Sequence, residues 1–217
     1  MMIRINKITP LALALLLLAT TVKAQEVDNE LQTRTQLELV YKPIKKLKLT
    51  VMPQLRFDEN FSLDKYLFEA EAEYKLTKFL DVAATYRFVV NPRDTKDTEY
   101  FNRYGFSATA KKDFGNFEPA FRLRYSNYAD DDVSDKSFIR YKASLKYDIP
   151  KCKLTPFVAA ELFQQTDGGD LYKMRYSAGL DYKLFKKNYI GVSYKFDYYK
   201  TDYLNKHIIS LGYKIKF

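Results

Sequence analysis

The feature that constrains this chain most is an alternation of apolar and polar residues that recurs in long segments along nearly all of it. From Leu47 to Phe57 one set reads Leu47, Leu49, Val51, Pro53, Leu55 and Phe57, and the other reads Lys48, Thr50, Met52, Gln54 and Arg56. Successive side chains of a strand leave on opposite faces, so a period of two sorts residues onto the two sides of a sheet. The same split sets Tyr66, Phe68, Ala70, Ala72, Tyr74 and Leu76 against Leu67, Glu69, Glu71, Glu73 and Lys75, and it returns over 139–149 and 172–184. Eleven such segments are visible, at about 31–42, 45–57, 65–76, 79–91, 99–114, 117–128, 137–149, 153–165, 170–184, 188–200 and 205–217. Strands of ordinary soluble sheets average roughly 5–6 residues. This much long strand calls for another architecture.

The connections alternate in length. Short turns are expected at Pro43-Ile44, Thr77-Lys78, Gly115-Asn116, Pro150-Lys151 and Phe185-Lys186, and longer polar loops at 58–64, 91–98, 128–136, 164–170 and 201–205. Strands entering the short turns end alike, as in Val40-Tyr41-Lys42, Glu73-Tyr74-Lys75-Leu76, Lys146-Tyr147-Asp148-Ile149, Asp181-Tyr182-Lys183-Leu184 and the terminal Gly212-Tyr213-Lys214-Ile215-Lys216-Phe217. One hairpin unit is used about five times. Tyr41, Tyr74, Tyr147, Tyr182 and Tyr213 thus share one depth, where a ring rests in a lipid interface and its hydroxyl reaches water. An opposite belt is expected from Phe57, Tyr66, Tyr104, Tyr125, Tyr172 and Tyr198. Ten residues separate Tyr172 from Tyr182, and at ~3.3 Å per residue with a tilt of ~40° they cover about 25 Å of membrane.

Short turns at one end and longer loops at the other are the pattern of an outer-membrane barrel. In lipid each unpaired backbone group costs several kcal/mol, so a sheet there must close on itself. The expected fold is therefore all-β, a transmembrane antiparallel up-and-down β-barrel of about ten to twelve strands. Pro119 and Pro156 fall early in strands that leave short turns, while Pro53 sits deeper and is expected to mark a bulge. The strand parity does not close: eleven strands put the first segment's start and Phe217 at opposite ends, whereas bacterial single-chain barrels have even counts. A return of residues 25–31 through the lumen, or a first segment outside the closed wall, would reconcile the two.

The first residues carry Arg4 and Lys7, an apolar core from Leu11 to Ala19, and Val22-Lys23-Ala24, which suits the −3 and −1 positions of a cleavage site. Residues 1–24 read as a secretory signal peptide and 25–217 as one barrel domain. The apolar run is too short for a membrane helix, which takes roughly 20 residues. The single cysteine, Cys152, permits no intramolecular disulfide. The net charge of +9 comes from Lys and Arg that alternate with apolar residues along the whole chain rather than gathering on one face, which argues against nucleic acid.

These residues also carry a family likeness. Leu55-Arg56-Phe57-Asp58-Glu59-Asn60, Glu73-Tyr74-Lys75-Leu76, Phe121-Arg122-Leu123-Arg124-Tyr125, Thr155-Pro156-Phe157 with Ala160-Glu161-Leu162-Phe163, and the ending from Leu211 to Phe217 together resemble an outer-membrane family common in Bacteroidota, a domain of unknown function. The resemblance runs over essentially the whole mature chain. It implies a barrel in the cell outer membrane of a Gram-negative bacterium, in contact with outer-membrane lipid, and it supplies no catalytic residues. Phe217, with Tyr213 and Ile215 before it, resembles the terminal signature that the barrel-assembly machinery reads.

For chemistry, the chain offers one histidine, His207, which the alternation places with Ile209, Leu211 and Tyr213 on the lipid face while Ser210 points inward. It is the only candidate base for a lipid-acting enzyme. The acidic run Asp130-Asp131-Asp132 with Asp135 offers oxygen ligands for calcium without the spacing of an EF-hand loop. No catalytic, cofactor or metal set is assigned. The inward face is richer: Arg56, Arg87, Arg103, Arg122, Arg124, Arg140, Lys142, Lys173, Arg175 and Lys195 are expected in the lumen, with Glu69, Glu71, Glu73, Asp81, Glu118, Glu161, Asp181 and Asp197. Such a lumen either conducts, with its arginines favouring anions, or pairs internally and conducts little. Three readings stay open: a narrow channel or structural and surface-interaction barrel, an outer-membrane lipid enzyme, and a soluble periplasmic β-protein holding an apolar ligand. The oligomeric state is not legible.

Overall fold

The computed structural model describes residues 29–93, 97–129, 136–200 and 203–217. The signal-peptide reading of residues 1–24 and the acidic run at 130–135 lie outside them. Each of the eleven alternating segments is a strand: β1 (Asn29–Ile44), β2 (Leu47–Phe57), β3 (Leu63–Lys75), β4 (Leu80–Asn91), β5 (Glu99–Lys111), β6 (Phe117–Ser126), β7 (Phe138–Tyr147), β8 (Leu154–Gln165), β9 (Leu171–Phe185), β10 (Asn188–Tyr199) and β11 (Asn205–Lys216). They form one closed barrel in which every strand pairs with its neighbours in sequence and β1 closes on β11.

That closure corrects the purely antiparallel expectation. Eleven strands make the first and last run the same way, so β1 and β11 pair in parallel, from Asn29↔Asn205 to Val40↔Lys216. The odd count is real, and the first segment is part of the wall, bonded to β11 on one side and β2 on the other. An odd barrel loses no backbone partners by this, because parallel strands also pair their groups throughout, with slanted bonds. Following the registers once around the ring returns to β1 displaced by about 14 residues, a stagger that tilts the strands by about 40°.

Proline placement is also corrected. Pro53 sits in unbroken register, opposite Phe68 of β3, and makes no bulge. On the β1–β2 hairpin a slip lies between Tyr41 and Ile44, where Pro43 stands, so β1 runs on to Ile44 and the turn moves to Lys45-Lys46. Pro119 and Pro156 each occupy the third position of a strand. Three of the other four short turns use one left-handed residue each, at Gly115, Lys151 and Lys187, a conformation that turns a strand back sharply.

Alternation puts the charged set inside and the apolar set outside. Among the described residues, far more large apolar side chains are exposed than buried: Leu55, Phe68, Tyr104, Phe121, Leu180 and Leu211 are typical of the outer wall. Burial inside is lopsided along the axis. In β2, β6, β8 and β10 the buried positions are Gln54, Arg56, Arg124, Ser126, Glu161, Phe163, Asp197 and Tyr199, all in the half of the strand next to the long loops. The half next to the short turns is open, because β8 to β11 line it with Ala159, Ser177, Gly191, Ser193 and Gly212.

Candidate functional site

The loop-end half of the lumen is filled by a continuous set of ion pairs capped by aromatic rings. Its centre is a lateral row of registered charged neighbours: two cations, Arg122 beside Lys142, and then alternating signs, with Lys142 beside Glu161, Glu161 beside Arg175, and Arg175 beside Asp197. Asp197 is fully buried and accepts from Arg175 Nε at 2.5 Å, Arg175 Nη2 at 2.6 Å and Lys173 Nζ at 2.8 Å. Glu161 accepts from Arg122 Nη2 at 2.8 Å and Arg140 Nε at 3.1 Å. Each carboxylate thus holds two cations in a region from which water is largely excluded, where charge-assisted bonds are strong and an unpaired charge is costly.

Rings sit directly on these cations. Arg140 lies 4.3 Å from the Phe163 ring centre and Lys173 lies 4.9 Å from it, the latter also 4.8 Å from Tyr199. Phe138, Phe163, Tyr172, Tyr199 and Ala129 form a buried cluster at the loop end. The start of the β6–β7 connection, Asn127 to Ala129, contributes to it by folding inward. Ser126 Oγ donates to the Tyr128 carbonyl at 2.7 Å, Asn127 Oδ1 accepts from the Tyr104 amide at 2.8 Å, and Arg124 Nη2 donates to the Tyr128 hydroxyl at 2.6 Å. Arg87 stacks on the Tyr128 ring at 4.8 Å. Arg124 reaches this place because Gly105 gives it room: a Cβ on Gly105 would lie 2.9 Å from Arg124 Nε.

Tyr172 belongs to this cap and not to the outer belt. Phe163 pairs with Lys173 but Gln164 pairs with Leu171, so Tyr172 is the extra residue of a bulge and its ring turns inward, edge-on to Tyr199 at 5.5 Å. The ten-residue apolar span is carried instead by outward runs such as Leu47 to Phe57 on β2.

The remaining residues singled out in the sequence are placed as follows. Arg56, Arg87, Arg103, Arg124, Arg140 and Arg175 are buried inside the barrel, and Arg122 is inside but partly exposed. Glu69 pairs with Arg87 at 2.6 Å, Glu73 pairs with Lys48 at 2.9 Å, and Glu71 accepts from Thr85 at 3.4 Å. Tyr41, Tyr74 and Tyr182 are exposed on the outer wall near the short turns. Tyr147 packs on Phe117 at 4.6 Å, and the Tyr213 hydroxyl donates to Asn188 at 2.9 Å. Phe217 is exposed beyond β11, its amide donating to the Val40 carbonyl. The sequence reading did not single out Phe138, Phe163 and Tyr199 of the cap, nor Tyr128 and Ala129. The only signal of the last two was an aromatic and a small residue at the head of an otherwise polar loop.

His207 lies on the outer wall, its Nδ1 2.6 Å from the Tyr194 hydroxyl and its ring 5.0 Å from Phe196. Ser210 lies on the opposite face, inside the barrel. Among the described residues no serine is hydrogen-bonded to His207, and no cluster of three or more potential metal ligands exists.

The fold and its two faces define a class: a closed β-barrel with an apolar, tyrosine-rich exterior and a charged interior. Within that class the chain matches the model of a protein family of unknown function, DUF2490, over residues 31–206, and it belongs to that family. No curated protein matches it.

Proposed function

We propose that the protein is a non-enzymatic outer-membrane β-barrel with its interior sealed at the loop end, serving as a structural or ligand-holding barrel and not as an open diffusion pore. The observation that carries this reading is the coexistence of an apolar outer wall with an interior that pairs its own charges. Exposed Leu55, Phe68, Phe121, Leu180 and Leu211 would be a severe liability in water and are at home in acyl chains. A hollow of about 570 Å³ on that wall, lined by Leu37, Leu55, Phe68 and Leu211 among others, is apolar and suited to outer-membrane lipid. Residues 1–24 would direct export, the barrel-assembly machinery would read Phe217 and the β11 strand, and the short turns would face the periplasm.

Sealing is supported by the Tyr128, Phe163 and Tyr172 cap over the Glu161 and Asp197 clusters. The lipid-enzyme reading loses support because His207 is bonded to a phenol on the outer wall. Planar-bilayer recording tests the proposal: the refolded protein is expected to give no stable conductance steps. Regular steps from the unmodified protein would overturn the sealed reading and favour an anion-selective channel.

A further inference from the structure

Below the sealed half lies a blind chamber of about 310 Å³ that opens toward the short turns, bounded mainly by β7 to β11 and by β1. We infer that this chamber binds a small oxyanion, a phosphate or a carboxylate, through the Lys142 ammonium and the Ser210 hydroxyl. The inference rests on the sealed reading above only in that a closed loop end makes the chamber a dead end where a solute can lodge.

Three observations carry it. First, the chamber's ceiling has a surplus of cations. Arg122, Arg140, Lys142, Lys173 and Arg175 cluster around two carboxylates, Glu161 and Asp197. Glu161 is taken by Arg122 and Arg140, and Asp197 by Lys173 and Arg175. Lys142 is left with no hydrogen bond or ion pair among the described residues, and it faces the chamber. A cation placed among other cations in a poorly hydrated space is stabilised by a counter-anion.

Second, Ser210 is buried and lines the same chamber, and its Oγ has no hydrogen-bond partner. A buried hydroxyl without a partner is uncommon and marks a place where a partner is missing. Third, the wall is built to leave room. Ser144, Ala159, Ser177, Ser193 and Gly212 are small, so hydroxyl donors surround the space without filling it. The acids of the lining, Glu38 and Asp181, lie toward the short turns, and Glu38 is held by Lys214 at 3.0 Å. The charge of the deep end therefore stays positive. An oxyanion accepts from an ammonium and several hydroxyls at once, which a lone halide does less completely.

The test uses the full-length mature barrel, refolded in micelles of an uncharged detergent, with inorganic phosphate and succinate as separate probes in calorimetric titrations. Saturable binding of one anion per barrel is expected, with a Kd of about 1 mM or tighter. Lys142→Gln should weaken it by about ten-fold or more and Lys142→Arg should restore most of it, while Ser210→Ala should weaken it by about five-fold. Lys153→Gln, exposed in the β7–β8 turn and outside the chamber lining, should leave it unchanged. A preference for phosphate or for succinate identifies the ligand class, and either supports the site. No saturation by either probe, or binding that Lys142→Gln leaves intact, overturns it. Loss of the heat-dependent gel shift in a variant would reveal misfolding, in which case Lys142→Arg and Ser210→Ala decide the matter. Bilayer conductance of the unmodified protein tests sealing independently, so a conducting barrel that binds phosphate refutes sealing alone, and a silent barrel that does not bind refutes the site alone.

Discussion

Asp197→Ala is expected to destabilise the barrel by about 3–5 kcal/mol, the cost of stripping the counter-charge from buried cations. Lys173 and Arg175 both bond to this carboxylate, and both are buried, so neither gains water when the carboxylate is lost. Tyr199 and Phe163 rings flank Lys173 and cannot replace a full negative charge. Urea unfolding of the refolded barrel, followed by far-UV circular dichroism because the chain has no tryptophan, measures the effect. Replacing all three charged residues together, as Lys173→Met, Asp197→Leu and Arg175→Met, should recover most of the loss, since a matched apolar set removes the desolvation cost along with the attraction. A single variant with a change below about 1 kcal/mol would mean that water reaches this cluster and screens it.

Tyr128→Gly combined with Phe163→Ala is expected to convert a silent barrel into a conducting one. Tyr128 is held by Arg124 and stacked under Arg87, and Phe163 covers Arg140, Lys173 and Arg175, so removing both rings uncovers a column of cations from the loop end to the chamber. Rings of arginine and lysine select anions, and the reversal potential in a salt gradient should show the current carried mainly by chloride. Conductance that stays absent, with the gel shift intact, would mean that the ion-paired layer seals the lumen without the rings. Cation selectivity would show that the acidic row of Glu69, Glu71 and Glu73 on β3 governs the path.

Much of this architecture is written in the alternation. Strand positions and faces follow from a period of two, because the outer wall is mostly apolar and the inner wall mostly polar. Four features are not legible in that way, each for a physical reason. A one-residue bulge flips a face without altering composition, so Tyr172 reads as an outward belt residue although the slip between Phe163 and Gln164 turns it inward. The parallel closure depends on which strand lies beside β1, and the side chains of β1 carry no mark of a partner's direction: Leu37 beside Tyr213 would look the same in either sense. The cap at Tyr128 and Ala129 comes from a connection, where no periodicity exists to place a residue inside or outside. The charged lumen residues were visible as a set, but their pairing was not. Glu161 with Arg122 and Arg140, and Asp197 with Lys173 and Arg175, meet across strands only through the register.

The most direct test of the account is electrophoretic mobility in SDS, with and without boiling, of the protein in a purified outer-membrane fraction. A closed barrel resists SDS until heated, so the account predicts a faster band in the unheated sample that shifts to the mobility of the unfolded chain on boiling. A protein missing from that fraction, or one whose mobility is the same before and after boiling, would contradict it.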